Sequence, residues 1–222
     1  MSTFTKENSI NAETVISIFT VDKGSLKVLL LKNKQDPYKG YWILPGSPLM
    51  NNETIEDNIT DAVFDQTGLL KISIEQSYTF SGLNRYPEKR VLGISFIGLI
   101  DIVSAEIKRK EVQDIESDWF KITDLPKLGY DHEEIINKAM ENLRKRVSNI
   151  KEMKVFFPSD FTLPEIQNAY EQIIGKELDR RNFRKKFLAL DLIEETNEYA
   201  TGEHGRPAKL YRFKENIKDN LF

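Results

Sequence analysis

The chain has 222 residues, 40% of them hydrophobic and 30% charged, the make-up of a globular protein long enough for one large domain or two smaller ones. Its formal net charge of -3 supplies no global basic field, so any nucleic-acid binding has to rest on a local patch. The lack of cysteine excludes disulfides, thiol catalysis and thiolate zinc sites, and the two histidines, His132 and His204, are too few and too far apart for a histidine metal cluster.

Residues 13–32 alternate or run apolar with β-branched enrichment (Val15, Ile16, Ile18, Val21, then Leu26 to Leu31), and Gly24 between Lys23 and Ser25 supplies a turn. This predicts a β-hairpin. Over 53–66 the period changes: Ile55, Ile59, Ala62 and Val63 recur at helical spacing, and Gly68 is a natural helix stop. Strand-like segments return at 71–80 and 90–103. A helix flanked by strands on both sides indicates a mixed α/β sandwich.

Asp124-Leu125-Pro126 closes this region, and Asp131-His132-Glu133-Glu134 reads as a capping box with Asp131 as N-cap. Behind it Ile135, Ile136, Ala139, Met140, Leu143 and Val147 form a continuous apolar stripe, with Glu134/Lys138 and Glu141/Lys145 as helix-stabilising pairs. A long amphipathic helix over 131–149 is expected, whether it links two domains, packs on the sandwich or forms a dimer seam.

The last seventy residues change rhythm. Thr162-Leu163-Pro164-Glu165 is a second capping box, with proline in the first turn where a missing N–H does little harm. That helix carries Leu163, Ile166, Tyr170 and Ile173 and stops at Gly175; a short turn leads to Asp179, a good N-cap, and to a second helix. Segments 192–200 and 208–213 read as strands around a tip at 201–207. Helix, turn, helix and hairpin is the order of a winged helix-turn-helix.

The second of these helices carries the local patch. At about 3.6 residues per turn, Arg180, Arg181, Arg184 and Lys185 share one arc, and Phe183, Phe187 and Leu190 the opposed one. Four cations pointing outward together repel each other unless a polyanion covers them. Phosphates accept charge-assisted bonds from Arg and Lys, and Arg also fits the acceptor pair on a guanine edge. Segment 180–186 holds no acid and occupies the slot that enters the major groove; Lys186 projects away from the main arc. Arg206 and Lys209 at the hairpin are placed to reach a neighbouring phosphate or a minor groove.

Residues 44–69, Leu44-Pro45-Gly46-Ser47…Glu53…Asp61-Ala62-Val63-Phe64-Asp65-Gln66-Thr67-Gly68-Leu69, resemble the signature of the Nudix family, G-x5-E-x7-R-E-U-x-E-E-x-G-U, with its chemistry removed. Ser47 takes the first glycine position, Asp61 and Ala62 replace the Arg-Glu pair, and Asp65 and Gln66 replace the Glu-Glu pair. Further along, Ile74-Glu75-Gln76, Phe80, Arg85-Tyr86-Pro87 and Arg90-Val91-Leu92 resemble a stretch of the Nudix-related, NrtR-like bacterial regulators. Leu125-Pro126-Lys127-Leu128-Gly129-Tyr130-Asp131-His132 resembles their linker, and Asp179-Arg180-Arg181-Asn182-Phe183-Arg184-Lys185 with Gly205-Arg206-Pro207-Ala208…Leu210-Tyr211 their DNA-reading helix and wing.

The resemblance implies an α+β protein: a Nudix-type α/β/α sandwich with a mixed sheet over 1–130, a linker helix over 131–154 and a winged helix-turn-helix domain over 155–222. It also implies a homodimer on palindromic double-stranded operator DNA, read by Arg180, Arg181, Asn182, Arg184, Lys185, Arg206 and Lys209. The implied effector is ADP-ribose-like or a sugar derivative. Tyr86, where the family commonly has aspartate, and Ser47 in the box mark a pocket that departs from the ADP-ribose readers.

A magnesium hydrolase has to hold its cation with carboxylates and waters. Of the ligand positions, which fall on Ala62, Asp65 and Gln66, Asp65 alone retains a carboxylate, the one place left for residual magnesium. Asp57, Asp61 and Asp65 at i, i+4 and i+8 read as a solvated acidic face, or as a displaced metal site. The expected protein is therefore a metabolite-responsive repressor with no catalytic residues and no cofactor; the alternative is a Mg-dependent Nudix hydrolase with a basic appendage. Effector contacts are expected from Trp42 by stacking, from Arg85 and Arg90 as bidentate donors, and from Glu53, Asp65 and His132. The N-terminus has no signal-peptide core and no apolar run reaches spanning length, so a cytoplasmic location without membrane contact is expected.

Overall fold

The computed structural model describes residues 10–70, 72–109, 115–147, 151–200 and 207–215. Strands β1 (Asn11–Asp22) and β2 (Ser25–Lys32) form the expected hairpin, in register from Phe19 opposite Val28 to Asp22 opposite Ser25. Lys23 and Gly24 both have positive φ (48° and 76°), the backbone of a two-residue turn whose twist matches the strands it joins.

β1 is the axis of a seven-stranded mixed sheet. It pairs parallel with β6 (Val91–Leu99), which pairs antiparallel with β5 (Ser73–Phe80). The short strands β3 (Trp42–Ile43), β4 (Gly46–Pro48) and β7 (Ser117–Lys121) pair with β2, β1 and β2 respectively. Because side chains alternate along a strand, β1 serves two cores. Ile16 and Ile18 pack with Ile59 and Val63 of helix α1 (Ile55–Thr67) and Ala105 of α2 (Ile102–Arg109). Val15, Phe19 and Val21 pack toward Ile135, Ala139 and Leu143 of α3 (His132–Arg146). The sheet is thus covered on both faces, as the sandwich reading requires.

Two local expectations change. The strand expected over 90–103 stops at Leu99, where the Asp101 carboxylate accepts from the Ser104 N–H at 2.9 Å and starts α2 instead. Asp131 sits at the N-cap of α3 but makes no capping hydrogen bond, because Arg85 takes its carboxylate. The apolar stripe of α3 is buried as read, so this helix packs on the sandwich. Lys138 bonds Glu141 at 2.8 Å in place of the expected Glu134 pairing.

The C-terminal unit comprises α4 (Lys151–Phe156), α5 (Leu163–Ile174), α6 (Arg180–Ala189) and a sheet ordered β8 (Phe161–Thr162), β10 (Ala208–Phe213), β9 (Ile193–Ala200). The Thr162/Glu165 capping box starts α5 and Gly175 at φ 68° ends it, both as expected. Phe161, Leu163, Ile166, Phe187, Ile193 and Phe213 form its core, which is continuous with the α3 side of the sandwich. Among the described residues no helix is long and apolar enough to cross a membrane.

Candidate functional site

The remnant of the Nudix signature has become a mechanical clamp. Gln66 of α1 donates from Nε2 to the Gly46 carbonyl at 2.8 Å and accepts the Gly46 N–H on Oε1 at 3.1 Å, binding β4 to the helix. Glu53 accepts from the Met50 N–H at 2.6 Å and from Asn58 Nδ2 at 2.9 Å. Buried Asn58 also donates to the Pro48 carbonyl at 3.0 Å and receives the Thr14 hydroxyl. The loop before α1 is therefore held by Asn58, three residues before Asp61 on the helix. Glu53 closes this loop.

Magnesium does not fit this arrangement. Both ends of the Gln66 amide are occupied, Ala62 is buried and carries no ligand atom, and Asp65 is a solitary exposed carboxylate. The Asp57 carboxylate accepts the Thr54 hydroxyl at 2.7 Å, and among the described residues no three His, Asp or Glu side chains converge. Asp57, Asp61 and Asp65 are all exposed on α1, the solvated acidic face of the two readings the sequence offers.

A cavity of about 360 Å³ lies beside the clamp, between the start of β1, the β3–β4 segment, residues 86–91 and the N-terminus of α3. This is the size of a small-molecule site. Its wall includes Glu13, Thr14, Asn33, Ser47, Tyr86, Lys89, Tyr130 and His132. Tyr86 and Tyr130 lie ring to ring at 4.5 Å, and Tyr130 is 5.4 Å from His132. Lys89, 5.5 Å above the Tyr86 ring, is the one lysine or arginine in the wall among the described residues. Such a wall offers aromatic faces for stacking, hydroxyl and amide groups for hydrogen bonding, and a single cation.

Beneath the wall lies a buried ion network. Arg85 donates to Asp131 from Nε at 2.5 Å and Nη2 at 3.0 Å, and Nη2 lies 3.0 Å from Glu13 Oε1. Burial works against the Arg85 charge, but Asp131 and Glu13 together outweigh it and raise its pKa. A Cβ on Gly93 would strike the guanidinium, so glycine there makes room for it. The Tyr86 hydroxyl donates to Glu13 Oε2 at 2.5 Å; burial, then the Glu13 charge, raises its pKa far above the usual phenol value. His132 accepts the Leu44 N–H on Nδ1 at 2.8 Å. Burial pushes its pKa down to about 4, with Asp131 opposing and Arg85 assisting. The imidazole is therefore neutral near pH 7, with its proton on Nε2.

Of the expected effector contacts, the cavity wall includes His132 alone. Arg85, expected to grip a ligand, is instead buried outside the wall and ion-paired with Asp131 and Glu13. Trp42 stands edge-on to Phe120 at 4.6 Å with Lys32 4.7 Å from its ring, outside the wall. Glu53 is held in the clamp, and Asp65 and Arg90 are exposed and outside it; Lys89, next to Arg90, lines the wall instead. Glu13 and Tyr130 are not legible from the sequence because isolated polar and aromatic residues carry no period, whereas Tyr86 stands out there by replacing the family's aspartate and does line the wall. Tyr130 did have one local signal, a place directly before a predicted N-cap, where its φ is 54°.

The second region is α6. Asp179 accepts the Asn182 N–H at 2.8 Å and starts the helix as read. Phe187 is buried and Phe183 stacks on it at 5.3 Å, anchoring one face. Arg180, Arg181, Asn182, Arg184, Lys185 and Lys186 are all exposed, and the five cations have no ion-pair partner among the described residues. Leu190 is corrected: it caps the helix after Ala189 and is 44% exposed, because the chain turns there through Asp191 (φ 54°), and Leu192 and Ile193 fill the core instead. Lys209 bonds Glu195 at 2.6 Å across β9 and β10. Arg206 lies outside the described residues.

Residues 155–213 match the NrtR DNA-binding winged helix domain. Over 203 residues, 89% of this chain and 80% of the relative, the sequence is 29% identical to the ADPR responsive transcriptional repressor NtrR of Acinetobacter baylyi. Over 114 residues it is 34% identical to an ADP-ribose pyrophosphatase of Methanocaldococcus jannaschii, covering 51% of this chain and 66% of that one. The fold matches the crystal structure of Shewanella oneidensis NrtR complexed with a 27mer DNA at a TM-score of 0.71 and 27% identity, covering 91% of this chain and 93% of that one. The chain is thus similar to the NrtR-like, Nudix-related transcriptional regulators across both its sandwich and its winged helix, and it joins a Nudix-type fold to a C-terminal winged helix-turn-helix.

Proposed function

We propose that this protein is a cytoplasmic, homodimeric repressor that grips palindromic operator DNA with α6 and lets go when its cavity fills with an ADP-ribose-like or sugar-derived effector, which it does not hydrolyse. The division proposed is a sensor over 1–130, a linker over 131–154 and a DNA-binding unit over 155–222, with α3 of the linker seated on the sensor's sheet. The observation that carries the reading is the exposed cationic face of α6, without an ion-pair partner among the described residues, in the second-helix slot of a chain whose metal-ligand positions hold Ala62, Asp65 and a clamped Gln66. Arg180, Arg181, Asn182, Arg184 and Lys185 are the proposed contacts from α6, and Lys209 and Arg206 those from the wing. The names of the Acinetobacter and Shewanella relatives, one ADP-ribose-responsive and one bound to DNA, support both halves.

Two winged helices in a dimer read half-sites about one helical turn apart or a multiple of it, so tilting one against the other spoils the fit. An effector achieves this only by binding one arrangement better than the other. The test is a gel-shift with DNA from upstream of the protein's own gene, with and without ADP-ribose, alongside product detection after incubation with ADP-ribose and Mg²⁺. Specific retardation relieved by intact ADP-ribose is expected; enzyme-like turnover with no retardation overturns the reading.

A further inference from the structure

If the cavity controls α6, the two have to be mechanically connected, and two elements run from the cavity wall to the winged-helix unit. β1 contributes Glu13 and Thr14 to the wall and ends at the Lys23–Gly24 turn. There Gln172 of α5 accepts the Leu26 N–H on Oε1 at 2.9 Å and donates from Nε2 to the Gly24 carbonyl at 2.7 Å. A Cβ on Gly24 would stand 3.2 Å from the Glu165 backbone, so hairpin and helix meet at close range. α3 contributes His132 to the wall, and near its far end Arg144 Nε donates to the Ile173 carbonyl of α5 at 2.7 Å. Arg85, paired with both Glu13 and Asp131, ties the cavity ends of the two elements together.

α5 does not need these contacts to exist as a helix. Its first turn is closed by the Thr162/Glu165 box, and at its other end the Gly175 N–H bonds the Glu171 carbonyl. The contacts from Gln172 and Arg144 therefore set where the helix lies, not whether it forms. α5 in turn carries α6 through Tyr170 and Phe183, whose rings lie 6.1 Å apart. The β1 strut spans about 30 Å at roughly 3.4 Å per residue, and α3 about 22 Å at 1.5 Å per residue. A shift at the cavity reaches α5 along both.

We propose that α5 is the coupling element between cavity and DNA-reading helix, with Gln172 and Arg144 as positioning residues that hold it to the two struts. This rests on the function proposed above. Coupling between sites is reciprocal, so DNA on α6 has to be felt at the cavity. The test is hydrogen exchange at residues 11–15 and 128–136, with and without a duplex from the protein's own promoter, in the wild type, the Gln172→Ala/Arg144→Ala double variant and each single variant. In the wild type the duplex alters exchange at both segments; in the double variant that change is lost while duplex affinity stays within about 3-fold. The effect of ADP-ribose on duplex affinity, within the usual range of roughly 5- to 150-fold, collapses toward unity in the same variant. Should the double variant fail to fold, Gln172→Ala alone, whose partners are backbone groups of a turn, is expected to lose the alteration carried by β1, at residues 11–15. A wild type that binds the duplex without altering exchange at the cavity, or a folded variant that keeps the alteration, overturns the coupling; a wild type that binds no duplex overturns the function beneath it.

Discussion

Arg85 and the arginines of α6 are the same side chain in opposite circumstances. Arg85 is buried, with two carboxylates on its guanidinium. Arg181 and Arg184 are exposed on a helix whose five cations have no ion-pair partner among the described residues, though Arg184 is near enough to help lower the Glu195 pKa. The contrast teaches that an arginine's role follows from whether its donors are already taken. A satisfied guanidinium is architecture; an unsatisfied one in a row of its kind awaits a polyanion.

The contrast breaks most visibly at α6. Replacing Arg181 and Arg184 together by alanine removes two donors of about 1–3 kcal/mol each from the DNA complex. Operator binding in fluorescence anisotropy should fall below detection, while the melting temperature stays within a degree or two; unchanged affinity would mean α6 is not the reading helix. Arg85→Ala should do the reverse, lowering stability by roughly 3–5 kcal/mol because it strands Glu13 and Asp131 under the cavity wall. Denaturant unfolding measures this, and a loss under 1 kcal/mol would show that the network is solvated in solution.

The next effect concerns pH. His132 has a folded pKa of about 4 against an ordinary 6.5, so between those values the unfolded chain binds the extra proton and the folded one does not. Its contribution is fully present above pH 6.5 and is lost as pH falls toward 4, to a total of roughly 3 kcal/mol. His132→Asn should lack that component of the acid-side decline in chemical denaturation; an identical decline would place the titration elsewhere. The smallest effect separates α6 from the wing. Lys185→Ala should reduce the slope of log affinity against log salt by about one. Lys209→Ala should reduce it less, because Glu195 already holds that ammonium at 2.6 Å; equal slopes would show that the pair opens on DNA.

Legibility followed sequence distance. The Gly24 turn, the stops at Gly68 and Gly175, the Thr162/Glu165 box and the Asp179 cap all read correctly, because each is decided within four or five residues. Asp131 has the same local pattern but misled, since Arg85, 46 residues earlier, takes its carboxylate. The strands β3, β4 and β7, of two to five residues, are too short to show a period. At the candidate site the loss of the carboxylates at Ala62 and Gln66 was legible from residue type. What Gln66 and Asn58 do instead was not, because their partners Gly46 and Thr14 come from two strands remote in sequence. For the same reason Trp42 and Arg85 passed as ligand groups until their neighbours were seen.

The most direct check on the whole account is one titration: a labelled promoter duplex bound by the full-length protein, then challenged with ADP-ribose in the presence of magnesium, with the nucleotide recovered afterwards. Saturable, salt-sensitive binding that ADP-ribose weakens, with the ADP-ribose recovered uncleaved, is the predicted result. A duplex never bound and a nucleotide returned as cleavage products would contradict it.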